Sequence, residues 1–347
     1  MAKSSLRCAG IAMMRMLPCI FVLSCSAIAL AQSENDALFT ARSLLQQGKN
    51  NEAITWLKAV AARQPNLRGV NHELGVAYYR EAQYLEASNY LQDALNENEE
   101  DRDAAQLLGL SYYFSGRPVQ AIAALEKVRS WRPNSNIDAL YILGICYTVA
   151  ERRDEARQIF SQLYGVNPNS AAAHLLLARM LLRQGFDPSA ESEARAALLI
   201  SPQLPVAHLT LGELGLYGGD YSKAVQEFNA ELAVNPTSAA ALTRLGDVYW
   251  RLNQGERSKK ILLRSIGIDP AAPESYVLLG KVLFRDGQIA LAEQNFHHAT
   301  DLDPGSYTAH YFLGQVYREQ GRSEAAQREM LLAARIQQSQ TANAARK

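Results

Sequence analysis

Cysteine is scarce in this chain: there are four in 347 residues, and Cys8, Cys19 and Cys25 all fall in the first 31. Only Cys146 stands in the body of the sequence, and one thiol cannot close an internal disulfide, which excludes a disulfide-held fold. Its slot between Ile145 and Tyr147 marks it as a small buried hydrophobe rather than a reactive thiol. Net charge is missing too. The 35 basic residues balance 35 acidic ones, and without Lys3, Arg7 and Arg15 of the leading segment the balance becomes acidic by about three, which speaks against nucleic acid or anionic lipid as the main partner. No Gly-rich phosphate loop, CxxC pair or nucleophile elbow occurs, and His72-Glu73 lacks the second histidine four residues on that a zinc-protease helix needs. No catalytic residue, cofactor or metal site is therefore expected.

Long hydrophobic runs are also absent. The leading segment carries three cations and no acid, then an apolar stretch of about 14 residues, short of the ~20 that span a bilayer. It ends in Ala29-Leu30-Ala31, which reads as a secretory signal peptide over residues 1–31, cleaved before Gln32. A second reading rests on Val22-Leu23-Ser24-Cys25, similar to a lipoprotein processing site, where Cys25 would carry lipid and attach the chain to a membrane. In both readings the folded part leaves the cytosol.

What is present is a period. A small residue recurs every 34 positions, once after 35, at Ala41, Gly75, Gly109, Gly144, Ala178, Gly212, Gly246, Gly280 and Gly314, and a second follows twelve later from Ala53 to Ala326. A repeat of this length means stacked supersecondary units that bury their apolar faces against one another. Each unit reads as two helices. Residues 70–80 place Leu74, Ala77 and Tyr78 on one stripe, and residues 86–95 place Ala87, Tyr90, Leu91 and Ala94 on another. Gly48, Gly116, Gly185, Gly219, Gly287 and Gly321 mark the turn inside the unit, where a left-handed residue closes the first helix. Prolines from Pro65 to Pro304 end second helices, because the ring removes an amide donor. Gly75 and Ala87 are expected to let the two helices approach closely.

The order leucine, glycine, tyrosine, then alanine, an aromatic or leucine, alanine and proline resembles the tetratricopeptide repeat family. The resemblance implies an all-α solenoid, a superhelix of nine helix-turn-helix repeats, at about 34–66, 68–101, 102–135, 137–170, 171–204, 205–238, 239–272, 273–306 and 307–338, with a polar tail over 339–347. It also implies a protein that binds protein or peptide rather than performing catalysis. In that family the first helices line an inner groove for an extended peptide or partner helix. Carried over by helix face, Leu110, Tyr113, Tyr141, Ile145 and Thr148 form an apolar and aromatic part, and Arg179, Arg183, Arg244, Asp247, Arg251, Lys281, Arg285 and Arg318 a mainly basic part. Such a groove suits a segment with apolar anchors and acidic residues. The bland alternative is an ordinary solvated face, in which the arginines alternate with Glu213, Asp247 and Glu274.

Other features have plain explanations. His174, His208 and His310 occupy one slot of three repeats, which points to packing rather than catalysis. The acids from Glu97 to Asp103 sit where they complement the start of a helix rather than where a calcium loop would place them. Gly212, Gly215, Gly218 and Gly219 crowd one first helix and, at roughly 0.8–1 kcal/mol each relative to alanine, are expected to soften it, with amide exchange at 212–219 faster than in neighbouring repeats. The family's lysine and asparagine carboxylate clamp is not reproduced at Arg42, Val76 and Leu110. Export suggests a scaffold of the bacterial periplasm or cell envelope, or an assembly factor anchored through Cys25. Groove aromatics stacking on sugar rings, and self-association through the last helix, are further readings.

Overall fold

The computed structural model describes residues 36–131, 137–185 and 187–345. The leader, with its cleavage site and Cys25, lies outside them. The chain divides into two compact units, Met1–Glu151 and Arg152–Lys347. The first holds α1 (36–46), α2 (Asn50–Arg63), α3 (Val70–Arg80), α4 (Tyr84–Glu97), α5 (Arg102–Phe114), α6 (Pro118–Trp131) and α7 (Ile137–Val149). The second holds α8 (Arg153–Tyr164), α9 (Ala171–Arg183), α10 (Asp187–Ile200), α11 (Ala207–Tyr217), α12 (Tyr221–Val234), α13 (Ala239–Arg251), α14 (Gly255–Ile268), α15 (Pro273–Arg285), α16 (Ile289–Leu302), α17 (Tyr307–Glu319) and α18 (Ser323–Ala345). No strand occurs among the described residues. The protein is an all-α repeat stack. Within each unit a helix packs on the next in sequence, and first helices also touch the first helices of adjoining repeats. The last helix continues through Ala345, past residue 338, so the expected polar tail is largely helical.

The recurring glycine has a sharper reason than the sequence suggests. A methyl group on Gly75 would stand 2.5 Å from Leu91 Cγ; on Gly109, 2.5 Å from Leu125; on Gly212, 2.5 Å from the Phe228 ring; on Gly246, 2.6 Å from Leu262. The pairing expected between Gly75 and Ala87 is thus corrected by one turn: the glycine is the socket for a large side chain sixteen residues on. Leu91, Phe228, Leu262 and Phe296 are 0% exposed, so these plugs form the spine of each unit. A methyl group on Gly215 would stand 3.0 and 3.1 Å from backbone atoms of Ala224 and Asp220. Both glycines inside α11, Gly212 and Gly215, therefore serve close approach to α12, whatever their cost in helix propensity, while Gly218 and Gly219 lie past its end.

The turn residue, seven past the small one, takes positive φ in all nine repeats: six glycines at 73–78°, and Ala82, Glu151 and Asn253 at 56°, 58° and 60°. In Asn253-Gln254-Gly255 it is Asn253 that turns, and Gly255 begins α14. A left-handed conformation strains any residue with a Cβ, least so asparagine. Ala82→Gly and Glu151→Gly are each expected to stabilise the protein by about 1 kcal/mol, read as a rise in urea midpoint. No gain in either would show that the strain is relieved elsewhere.

Several first helices are capped in one of two ways. Asp101, Ser170, Ser238 and Ser306 accept from the amide three residues on, as the acids and serines before those helices suggest. Where the cap is Gly69 (φ 88°) or Val206 (φ 73°), no side-chain cap bond forms. A carboxylate from the end of the antiparallel second helix takes over: Glu97 accepts from Gly69 N at 3.1 Å, and Glu231 from Val206 N and Leu209 N at 2.9 and 3.2 Å. Both carboxylates sit at the positive end of a helix dipole.

Candidate functional site

On the first-helix face of the first unit, α1, α3 and α5 enclose an open cleft of about 390 Å³. Leu45, Val76 and Leu107 line it, with Gln46 and Gln106 as amide groups at either side. Its basic side chains are held by the protein itself. Arg42 Nε lies 2.5 Å from Glu73 Oε1, Arg80 donates to the Leu45 carbonyl at 2.6 Å, and His72 Nδ1 is 2.7 Å from Asp101. Glu73 is only 5% exposed. The cleft therefore has an apolar floor and a polar rim that is largely self-paired. Nothing in residue type alone marked Gln46, Gln106 or Val76 as neighbours, because they come from three repeats.

An aromatic strip lies on the same unit. Tyr79 and Tyr84 rings meet edge-on at 5.6 Å, Tyr84 stacks on Phe114 at 5.0 Å, and Phe114 meets Tyr113 at 5.3 Å. Burial raises the Tyr79 hydroxyl above its ordinary range, with Tyr84 and Asp138 adding to it; burial likewise raises that of Tyr113, with Cys146 and Tyr141 adding. Of the residues expected in an apolar groove, Tyr113 and Tyr141 are thus near one another and half-buried, as is Ile145. Leu110 and Thr148 are corrected: they are 8% and 1% exposed, and Thr148 donates to the Ile145 carbonyl, so both belong to the packing.

The second unit also departs from expectation. Arg179 and Arg183 are exposed on α9, and Arg318 on α17, where it donates to Gln315. Arg244 is half-buried between Glu213, at 3.3 Å, and Glu274. Burial works against its charge, yet Glu274, Tyr217 and Glu213 outweigh it and raise the guanidinium above its ordinary range. Asp247, 8% exposed, pairs with Arg251 at 3.1 Å. The expected basic stripe is therefore partly neutralised: adjoining first helices set Glu213 and Glu274 beside Arg244, and Arg251 is met by Asp247 of its own helix. Lys281 and Arg285 are placed differently: the ammonium lies 3.6 Å from the centroid of the Trp250 ring and the guanidinium 5.9 Å from it.

The histidine slot resolves into a repeated pair. His174, His208 and His310 each meet, at 2.7 Å, the glutamate nineteen residues on: Glu193, Glu227 and Glu329. These pairs tie a first helix to its second, and no group of three or more metal-ligating side chains occurs among the described residues. Cys146 is 0% exposed, and burial pushes its thiol up to about 12. In the chain from Gln32 onward, Cys146 is expected to resist iodoacetamide at pH 8 and to react at least 100-fold faster in 8 M urea; equal rates would contradict its burial. No helix of the described residues is long and apolar enough to cross a membrane.

Comparison with known proteins bears on this geometry. Models of the tetratricopeptide repeat match residues 72–135, 209–273 and 277–342, and another such model matches 112–180. More than half of the chain is covered. The chain belongs to the tetratricopeptide repeat family. None of the curated proteins matches it. Among solved structures, it is similar to MamA 41-end from Desulfovibrio magneticus RS-1, with 24% identity over 49% of this chain and 96% of that one and a TM-score of 0.43. YrrB, described as a TPR protein with an unusual peptide-binding site, shares 22% over 53% and 93%, with a TM-score of 0.41. Pseudomonas aeruginosa PilF shares 17% over 58% and 91%, with a TM-score of 0.47. This tetratricopeptide repeat fold is typically a non-enzymatic scaffold for protein–protein interaction.

Proposed function

We propose that this protein holds an extended segment or helix of a partner protein on its first-helix faces, performs no catalysis, and works outside the cytosol as a scaffold of the bacterial envelope. The cleft between α1, α3 and α5 carries the reading: an apolar floor takes side chains, while Gln46 and Gln106 offer donors and acceptors to a peptide backbone. The basic leader supports export, with lipid on Cys25 as the form that would make it a membrane-attached assembly factor. Mass spectrometry of the mature N-terminus distinguishes the two: Gln32 unmodified, or Cys25 acylated.

The partner is to be captured from envelope extract with the mature chain and its bound segment mapped. Gln106→Ala combined with Tyr113→Ala is then expected to weaken that segment at least tenfold, while Gln92→Ala and Asn229→Ala on second helices leave it within twofold. The reverse pattern would overturn the reading. Arg244→Glu is unsuitable, since it would set three carboxylates together and unfold the face it is meant to test. The strip from Tyr79 to Tyr113 favours a second reading, a sugar-binding face. Glycan binding abolished by Tyr113→Ala or Tyr141→Ala, in the absence of a peptide partner, would select it.

A further inference from the structure

The charges around Trp250 in α13 do not close. Arg251 is answered by Asp247 at 3.1 Å. Arg285 donates to the Trp250 carbonyl at 3.4 Å, and its guanidinium shares the start of α14, beside Gly255, with the carboxylate of Asp286. Lys281 is different. Its ammonium lies 3.6 Å from the Trp250 ring centroid and 5.6 Å from that of Phe312 in α17, and among the described residues no carboxylate stands within ion-pair distance of it. Burial lowers its basicity; Asp247 works to restore it, and Arg251 lowers it further. The indole Nε1 of Trp250 is also buried with no acceptor among the described residues.

A half-buried cation costs free energy unless something answers it, and a ring face compensates only in part. Two cations and an unused N–H donor at one indole leave this patch short of an acceptor, and its aromatic walls already hold a cation, so it does not suit a further one. We infer that Lys281, between the rings of Trp250 and Phe312, is the seat for a carboxylate side chain of the bound segment, which makes the second unit's first-helix face selective for acidic peptides. This rests on the proposal that these faces bind peptide, and it adds the chemistry and the residue. Arg244 and Arg251, tied to their own acids, take no part in the selection.

The test uses the full mature chain and two blocked octapeptides, alternating threonine with glutamate or with glutamine; the threonines favour an extended backbone. The glutamate peptide is expected to bind at least tenfold more tightly than the glutamine one. Lys281→Met, which keeps the apolar stem over Trp250, should reduce that preference to under twofold, and Lys281→Arg should retain it. In the lysine-labelled wild-type chain the Lys281 side-chain resonance should titrate at higher pH once the glutamate peptide is bound, because a nearby carboxylate favours the ammonium. An unchanged preference in Lys281→Met, a Lys281 resonance that does not respond, or no binding of the glutamate peptide at millimolar concentration would each overturn the inference. Equal binding of both peptides, still lost on first-helix substitution, would overturn it while leaving the peptide-binding face intact. Loss on second-helix substitution alone would remove the face itself.

Discussion

Glu231→Ala is expected to destabilise the protein by about 2–5 kcal/mol, measured by urea unfolding of the full chain. Glu231 is 0% exposed, and its carboxylate accepts the amides of Val206 and Leu209 at the first turn of α11. Removing it leaves the buried Leu209 amide and the half-buried Val206 amide without that partner, and it also removes a negative charge from the positive end of the helix. The strain at Val206 makes the prediction separable. A β-branched residue at φ 73° is held there against its preference, so Val206→Gly should stabilise by roughly 1 kcal/mol while the carboxylate is present. A loss below 1 kcal/mol in Glu231→Ala would mean that α11 begins elsewhere or that solvent reaches its first turn.

Gly280→Ala is the second large effect, with an expected loss of about 1–3 kcal/mol although alanine is the better helix former. A Cβ there would stand 2.7–2.9 Å from three atoms of the Phe296 ring. That ring is 0% exposed and stacks on Phe312 at 5.5 Å, so it has no free direction in which to yield. Gly267→Ala is the internal control. It is exposed in α14, with nothing within 4 Å of the added carbon, and should gain roughly 0.5–1 kcal/mol. A gain at both sites would show that propensity outweighs the socket, and the packing account of the recurring glycine would fall. Gly212→Ala, against Phe228, should follow Gly280→Ala.

Much of the fold was legible from residue order because its determinants are local. The turn glycines needed only their neighbours to be identified, and even the exceptions, Ala82 and Glu151, hold the slot the period assigns them. Ser170 and Asp101 lie three residues from the amides they cap. The histidines are legible as structural by recurrence, and Glu193, Glu227 and Glu329 recur at one spacing from them, but only the packing of the two helices shows that each meets its histidine. The candidate site was read less well. A helix-face projection places Leu110, Thr148 and Asp247 on an exposed surface, whereas the stack covers them. It also treats Arg244 as an available cation, when Glu213 and Glu274 from two other repeats have already neutralised it.

The chain by itself determined that it forms helix pairs, where each turn falls, and that the pairs belong to one repeat family, since each of these depends on residues within a turn or two of one another. Tertiary structure decided which side chain fills each glycine socket, which carboxylate caps α3 and α11, which arginines are already paired, and why Lys281 is left over. Most of those partners lie some sixteen to thirty residues apart and meet only through the register of packed helices, and charge compensation depends on distances between side chains of different helices.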